Sequence, residues 1–85
     1  MRLRLLYFAR LREALGTDRE DVTVPESVED VAALTAWLRA RGGAWTYELA
    51  AGRAYRVAVN QDMAHAGTRL SDEAEVAIFP PVTGG

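Results

Sequence analysis

PESVEDVAALTAWLRARGG, residues 25–43, decides how this chain folds. Pro25 ends whatever precedes it, because it lacks an N–H and holds φ fixed. Ser27 followed by Asp30 resembles a capping box, with Asp in place of the preferred Glu. Glu26, Glu29 and Asp30 put negative charge where the start of a helix favours it. Val31, Leu34, Thr35 and Leu38 recur at the 3.6-residue period, while Glu29, Ala33 and Ala36 point away. Arg39 and Arg41 suit the other end, and Gly42-Gly43 supplies the stop. The stretch predicts one amphipathic helix over 27–41, whose apolar stripe must be buried against another layer.

The flanking segments predict a sheet for that layer. RLRLLYFA at 2–9 reads as a strand. Leu3, Leu5 and Tyr7 share one face, and Arg2, Arg4, Leu6 and Phe8 share the other. Both faces become apolar toward its end, which places it inside the sheet. RLREAL at 10–15 allows a short helical turn, broken by Gly16-Thr17-Asp18. EDVTV at 20–24 is a second strand, with Val22 and Val24 on one face. The two strands predict an N-terminal hairpin with a long connection.

After the helix, AWTYELAAG at 44–52 reads as a short helix ending at Gly52, with Trp45 and Leu49 on one side. YRVAVN at 55–60 alternates, with Tyr55, Val57 and Val59 on one face, and Asn60-Gln61-Asp62 forms a turn. Leu70 anchors a connector. EVAIF at 75–79 is the last strand, with Val76 and Ile78 set against Ala77 and Phe79, and Pro80-Pro81 ends it. The order β-β-α-(α)-β-β predicts an α+β roll of the β-grasp, or ubiquitin-like, kind. A mixed sheet of four or five strands packs on one main helix. Its expected core is Leu5, Tyr7, Val31, Leu34, Leu38, Val57, Val59 and Ile78. The expected division is a β-grasp domain over 1–79 and a protruding tail over 80–85.

Composition sets the limits on chemistry. Eighty-five residues make one small domain, with 49% hydrophobic and 26% charged residues. Twelve acids against ten Arg give a net charge of −2, which advertises neither a nucleic-acid nor a membrane partner. There is no Cys, hence no thiolate nucleophile or Cys-ligated metal, and no Lys, hence no Schiff base. His65 is the only histidine, in a polar connector beside Gly67, where it reads as a solvated side chain. Trp37 and Trp45 read as core packing, and Asp72, Glu73 and Glu75 do not read as a metal site. Arg2, Arg4, Arg10 and Arg12 read as a solvated face open to partner contact. Arg2 and Arg4 are followed by only a short apolar run, so the expected location is the cytoplasm.

The tail is the unusual feature. Pro80-Pro81 gives a stiff base without donors, and Gly84-Gly85 gives a tip without side chains. Six residues reach at most about 20 Å. A bare, carboxylate-ended probe of that length can enter a narrow site in another protein. Gly is common at chain ends, so the pair alone is a weak sign. Behind this element order and the two prolines it reads as functional.

FPPVTGG at 79–85 closely resembles the C-terminus of the small subunits of molybdopterin synthase, the MoaD-type sulfur carriers. YFARLREALGTD at 7–18, VAVNQ at 57–61 and LSDEAEVAIFPPVTGG at 70–85 resemble the same family, so the likeness runs from end to end. One departure stands out. The family usually has Gly-Asp in the turn where this chain has Glu73-Ala74, and Gly often supplies a positive φ there.

The resemblance implies a carrier whose Gly85 carboxylate is adenylated by an enzyme related to ubiquitin-activating enzymes, using ATP and Mg. A persulfide donor then converts it to a thiocarboxylate. The tail would enter a large synthase subunit in a heterotetramer and pass its sulfur to cyclic pyranopterin monophosphate, building the dithiolene of molybdopterin. On that reading Gly85 is the reacting residue and Gly84 its slim neighbour. Phe79, Pro80, Pro81, Val82 and Thr83 meet the partner, and no metal or cofactor is held permanently. A chain without Cys can carry sulfur only at its terminal carboxylate. The alternatives are a thiamine-pathway sulfur carrier, a ubiquitin-like protein modifier, or a plain β-grasp interaction module.

Overall fold

In the computed structural model, which describes residues 1–81, the sheet is built around β1 (Arg2–Tyr7). β1 runs antiparallel to β2 (Arg19–Thr23), with Leu5 opposite Glu20, and parallel to β5 (Ala74–Phe79), with Leu5 opposite Val76. β5 pairs antiparallel with β3 (Arg56–Val59), and β3 with β4 (Asp62–Met63). The strand order β2-β1-β5-β3-β4 puts the first and last strands side by side in the middle. Three helices complete the fold: α1 (Ala9–Leu15), α2 (Val31–Arg39) and α3 (Ala44–Glu48). This is the mixed α+β roll that the element order predicts. Among the described residues no helix is long and apolar enough to cross a membrane.

Period-two burial in the strands meets period-3.6 burial in α2. Leu3, Leu5 and Tyr7 of β1, Val57 of β3, and Ala74, Val76 and Ile78 of β5 all turn to the face that α2 covers with Val31, Leu34, Thr35 and Leu38. Thr35 is tolerated there because its hydroxyl donates to the Ala32 carbonyl at 3.0 Å. Leu11, Val24, Val28, Leu49 and Leu70 close the rim of this core, and Trp37 and Trp45 pack partly buried against it. Val59, expected in the core, is only partly buried near the sheet edge.

The main helix starts later than the expected 27–41. Asp30, not Ser27, is its N-cap: Asp30 is extended at φ −142°, and its Oδ1 accepts the Ala33 N–H at 2.8 Å. The cause is tertiary. The Leu70 N–H donates to the Glu29 carbonyl and the Val31 N–H to the Thr68 carbonyl, while Asp30 bridges Arg69. These contacts tie Glu29, Asp30 and Val31 to the 65–70 connector, with Asp30 extended. Val28 is thereby buried in the core instead of starting a helical turn.

α3 is also shorter than the expected 44–52, closing at Glu48. The expected turn at Asn60-Gln61-Asp62 gives up Asp62 to the short strand β4. It follows a two-residue loop in which Asn60 and Gln61 both take left-handed φ, 50° and 72°, the pattern of a type I′ hairpin. Asn60 also fixes the register of β5. Its backbone N–H donates to the Glu75 carbonyl, and its side-chain oxygen accepts the Glu75 N–H at 2.9 Å.

Candidate functional site

The face of the sheet opposite α2 changes character along its length. Register places Arg4 beside Asp21 and Glu75 at one end, with an exposed Arg4–Asp21 ion pair at 3.6 Å. One row further on, Leu6, Ala77, Ala58 and Met63 lie side by side across β1, β5, β3 and β4. The last row brings Phe8 alongside Phe79: Tyr7 pairs with Ile78, and the Phe8 N–H donates to the Ile78 carbonyl. Phe8 is 46% exposed and Met63 62%, whereas Phe79 is half-buried. The result is a contiguous apolar surface at the end of the sheet that carries Pro80 and Pro81. Surface of this kind, rimmed by charge, marks a protein contact.

The expected anchor Phe79 therefore stands in that surface, but it does not stand alone. Phe8 and Met63 are more exposed and belong to the same patch. The strand alternation of β1 already placed Phe8 on the face of Arg2 and Arg4. The role of Met63 could not be read without the β3–β4 pairing. Pro80 and Pro81, also expected to meet a partner, are half-buried at the exit. The remaining expected site residues, Val82, Thr83, Gly84 and Gly85, lie outside the described residues.

A second feature borders the exit. Arg10, Gly52, Arg53, Ala54, Pro80 and Pro81 line an open cleft of about 520 Å³. Behind it lies Glu48, only 8% exposed. Its Oε1 accepts from Arg10 Nη1 at 2.6 Å and from Arg53 Nη2 at 3.3 Å. Arg53 also stacks on the Tyr47 ring, 4.4 Å from its centroid. Nothing in local spacing joins residues 10, 48 and 53; the fold of α1, α3 and the following turn brings them together.

His65 lies elsewhere, in the connector, where its Nδ1 accepts the Gly67 N–H at 3.0 Å. Among the described residues no three His, Cys, Asp or Glu side chains converge to hold a metal ion. What this end of the molecule offers is exposed apolar surface beside Pro80 and Pro81.

Known proteins are similar to this chain in sequence and in shape. The molybdopterin synthase sulfur carrier subunit of Escherichia coli (strain K12) is 39% identical over 83 residues, covering 98% of this chain and 99% of that protein. SAMP1 from Haloferax volcanii matches the fold with a TM-score of 0.81 at 24% identity, covering all of both chains. A chain from the complex of subunits 1 and 2 of the molybdopterin-converting factor of Helicobacter pylori 26695 matches with a TM-score of 0.67 at 20% identity, again covering all of both chains. The ThiS family matches residues 5–85, which take in the second half of β1 and every later strand and helix, and the chain belongs to that family.

Proposed function

We propose that this chain is the sulfur carrier subunit of a molybdopterin synthase, with residues 1–79 as the folded body and 80–85 as the working tail. The observation that carries the reading is the apolar end of the open sheet face, Leu6, Phe8, Ala58, Met63, Ala77 and Phe79, running straight into the Pro80-Pro81 exit. It is supported by the full-length similarity to a sulfur carrier subunit. A body that docks through this surface aims whatever follows Pro81 into its partner. The partner of the reading is the large synthase subunit, two copies of each chain forming the assembly in the cytoplasm.

A carboxylate is a poor electrophile until one oxygen becomes a leaving group. An adenylating enzyme of the ubiquitin-activating type, using ATP and Mg, supplies that step: a Gly85 carboxylate oxygen attacks the α-phosphorus and pyrophosphate leaves. The outer sulfur of a persulfide then displaces AMP. Cleavage of the remaining S–S bond by a thiol leaves Gly85 as a thiocarboxylate. In the large subunit that sulfur attacks a carbon of cyclic pyranopterin monophosphate and displaces an oxygen substituent, water then hydrolyses the acyl–sulfur bond and returns the Gly85 carboxylate, and two such deliveries make the dithiolene. The general acids and bases belong to the large subunit. This chain contributes position: reacting atoms must approach to about 3–3.5 Å, and a tip without side chains allows it.

Intact mass tests the reading. Incubation with activating enzyme, ATP and a persulfide source should add the mass of one oxygen-to-sulfur exchange, lost again on addition of precursor and large subunit. Deleting Gly85, or appending one residue after it, should abolish transfer and leave the thermal midpoint unchanged. Gly84→Ala should slow transfer without unfolding the body. Dithiolene formation by the Gly85-deleted chain would overturn the proposal.

A further inference from the structure

The whole chain carries a net charge of −2, yet the border of the tail exit is basic. Arg10 and Arg53 flank Pro80 and Pro81 in the exit cleft, and Arg56 stands opposite Phe79, the residue before Pro80. Against these three guanidiniums stands one carboxylate, Glu48, whose single oxygen Oε1 serves both Arg10 and Arg53. Among the described residues Arg56 has no carboxylate within 4.0 Å. Acidic side chains gather instead at the far end of the sheet, where Asp21, Glu73 and Glu75 accompany Arg2 and Arg4.

Glu48 gives this arrangement its form. Buried and bonded to both guanidiniums, it holds Arg10 from α1 and Arg53 from the turn after α3 on the same border. Tyr47 adds a second restraint on Arg53 through its ring and through its hydroxyl at 3.3 Å. Arginines held in this way lose little further freedom on binding.

We propose that Arg10, Arg53 and Arg56 form a basic collar that engages carboxylates edging the opening through which the large subunit receives the tail. This rests on the function proposed above. The reach of the tail decides which anion is meant. Four residues beyond Pro81 span at most about 14 Å. A partner that holds those four residues extended places the reacting carboxylate and its phosphates at the far end of that span and leaves the collar at the mouth. Side-chain carboxylates at that mouth are the complementary chemistry. Charges at a rim act mainly by steering association, and salt screens them over about 10 Å at 0.1 M. A carrier that must leave each partner to reload benefits from fast, salt-sensitive association rather than slow release.

The test measures association of the full chain with the large subunit by stopped flow, from about 0.02 M to about 0.5 M salt. The wild-type rate should fall at least about tenfold over that range. Arg56→Glu changes an exposed side chain with no carboxylate partner among the described residues, so the body should keep its thermal midpoint. Its low-salt association should be about tenfold slower, with dissociation within about twofold of wild type, and the two proteins should converge at high salt. Arg10→Gln with Arg53→Gln should act in the same direction, and Arg56→Lys should restore the rate. Salt-independent association of the wild type, or an Arg56→Glu rate equal to it, overturns the collar while leaving the carrier reading intact. If the wild type forms no complex with the large subunit at any salt, the carrier reading fails and the collar with it.

Discussion

The Tyr7 hydroxyl donates a 2.9 Å hydrogen bond to Oε2 of Glu20, joining the central strand β1 to the edge strand β2. Arg41 grips both oxygens of the same carboxylate, at 2.8 and 3.0 Å, and lies over the rings of Trp37 and Trp45. Burial, and then the charge and hydrogen bond of Glu20, push the Tyr7 phenol far above its ordinary pKa, against a weaker lowering by Arg41. An unfolded chain loses this proton near pH 10, whereas the native chain keeps it well beyond. Above that pH the native state binds the extra proton, so its stabilising effect is complete below about pH 10 and is lost as pH rises toward the folded value. Unfolding free energy should fall by up to about 1.4 kcal/mol per pH unit in this window from Tyr7 alone. Denaturant titrations between pH 9 and 11 should show a shallower fall for Tyr7→Phe.

Leu34 lies at the centre of the α2 stripe and is fully buried. Leu34→Ala should cost roughly 2–5 kcal/mol, the lost transfer energy plus the cavity left behind. Urea unfolding measures it directly. A negligible change would mean that α2 does not seal the sheet.

Glu73 occupies a left-handed backbone position, φ 67°, in the turn leading into β5. A side chain at such a position costs about 1–2 kcal/mol, which glycine avoids. Among the described residues the only ion pair Glu73 makes is an exposed one with Arg2 at 4.0 Å, worth little. Glu73→Gly should therefore stabilise the chain by about 1 kcal/mol after the added entropy of the unfolded state. A lower denaturation midpoint for Glu73→Gly would contradict this account of the turn.

Phe8 projects from the apolar end of the open face but closes no core contact that the fold needs. Phe8→Ser should leave the thermal midpoint nearly unchanged and weaken binding of the large subunit by at least about tenfold. Phe79→Ala should weaken binding too, with some loss of stability because Phe79 is half-buried. Calorimetric titration against the large subunit separates the two, and equal affinity for Phe8→Ser would move the interface away from this face.

Periodicity made most of the fold legible. The two-residue alternation of β1 and β5 and the 3.6-residue recurrence in α2 identify the elements without reference to anything distant, because each pattern encodes which side must be dry. The boundaries were less legible. Residues 27–30 have helix-start chemistry, but the 65–70 connector ties down Glu29 and Asp30, and no local pattern contains that competition. The candidate site divides in the same way. Phe79 and the prolines are visible beside the tail, whereas Met63 enters the patch only through its pairing with Ala58.

By itself the sequence determined the α+β class and the apolar faces, since these depend on neighbours along the chain. Tertiary structure alone decided that Arg10, Glu48 and Arg53 meet at the tail exit. Their contact spans 38 residues between Arg10 and Glu48, and it depends on α1 and α3 lying side by side in the fold. Local propensity specifies elements; electrostatic groupings between distant elements follow from how the buried faces pack.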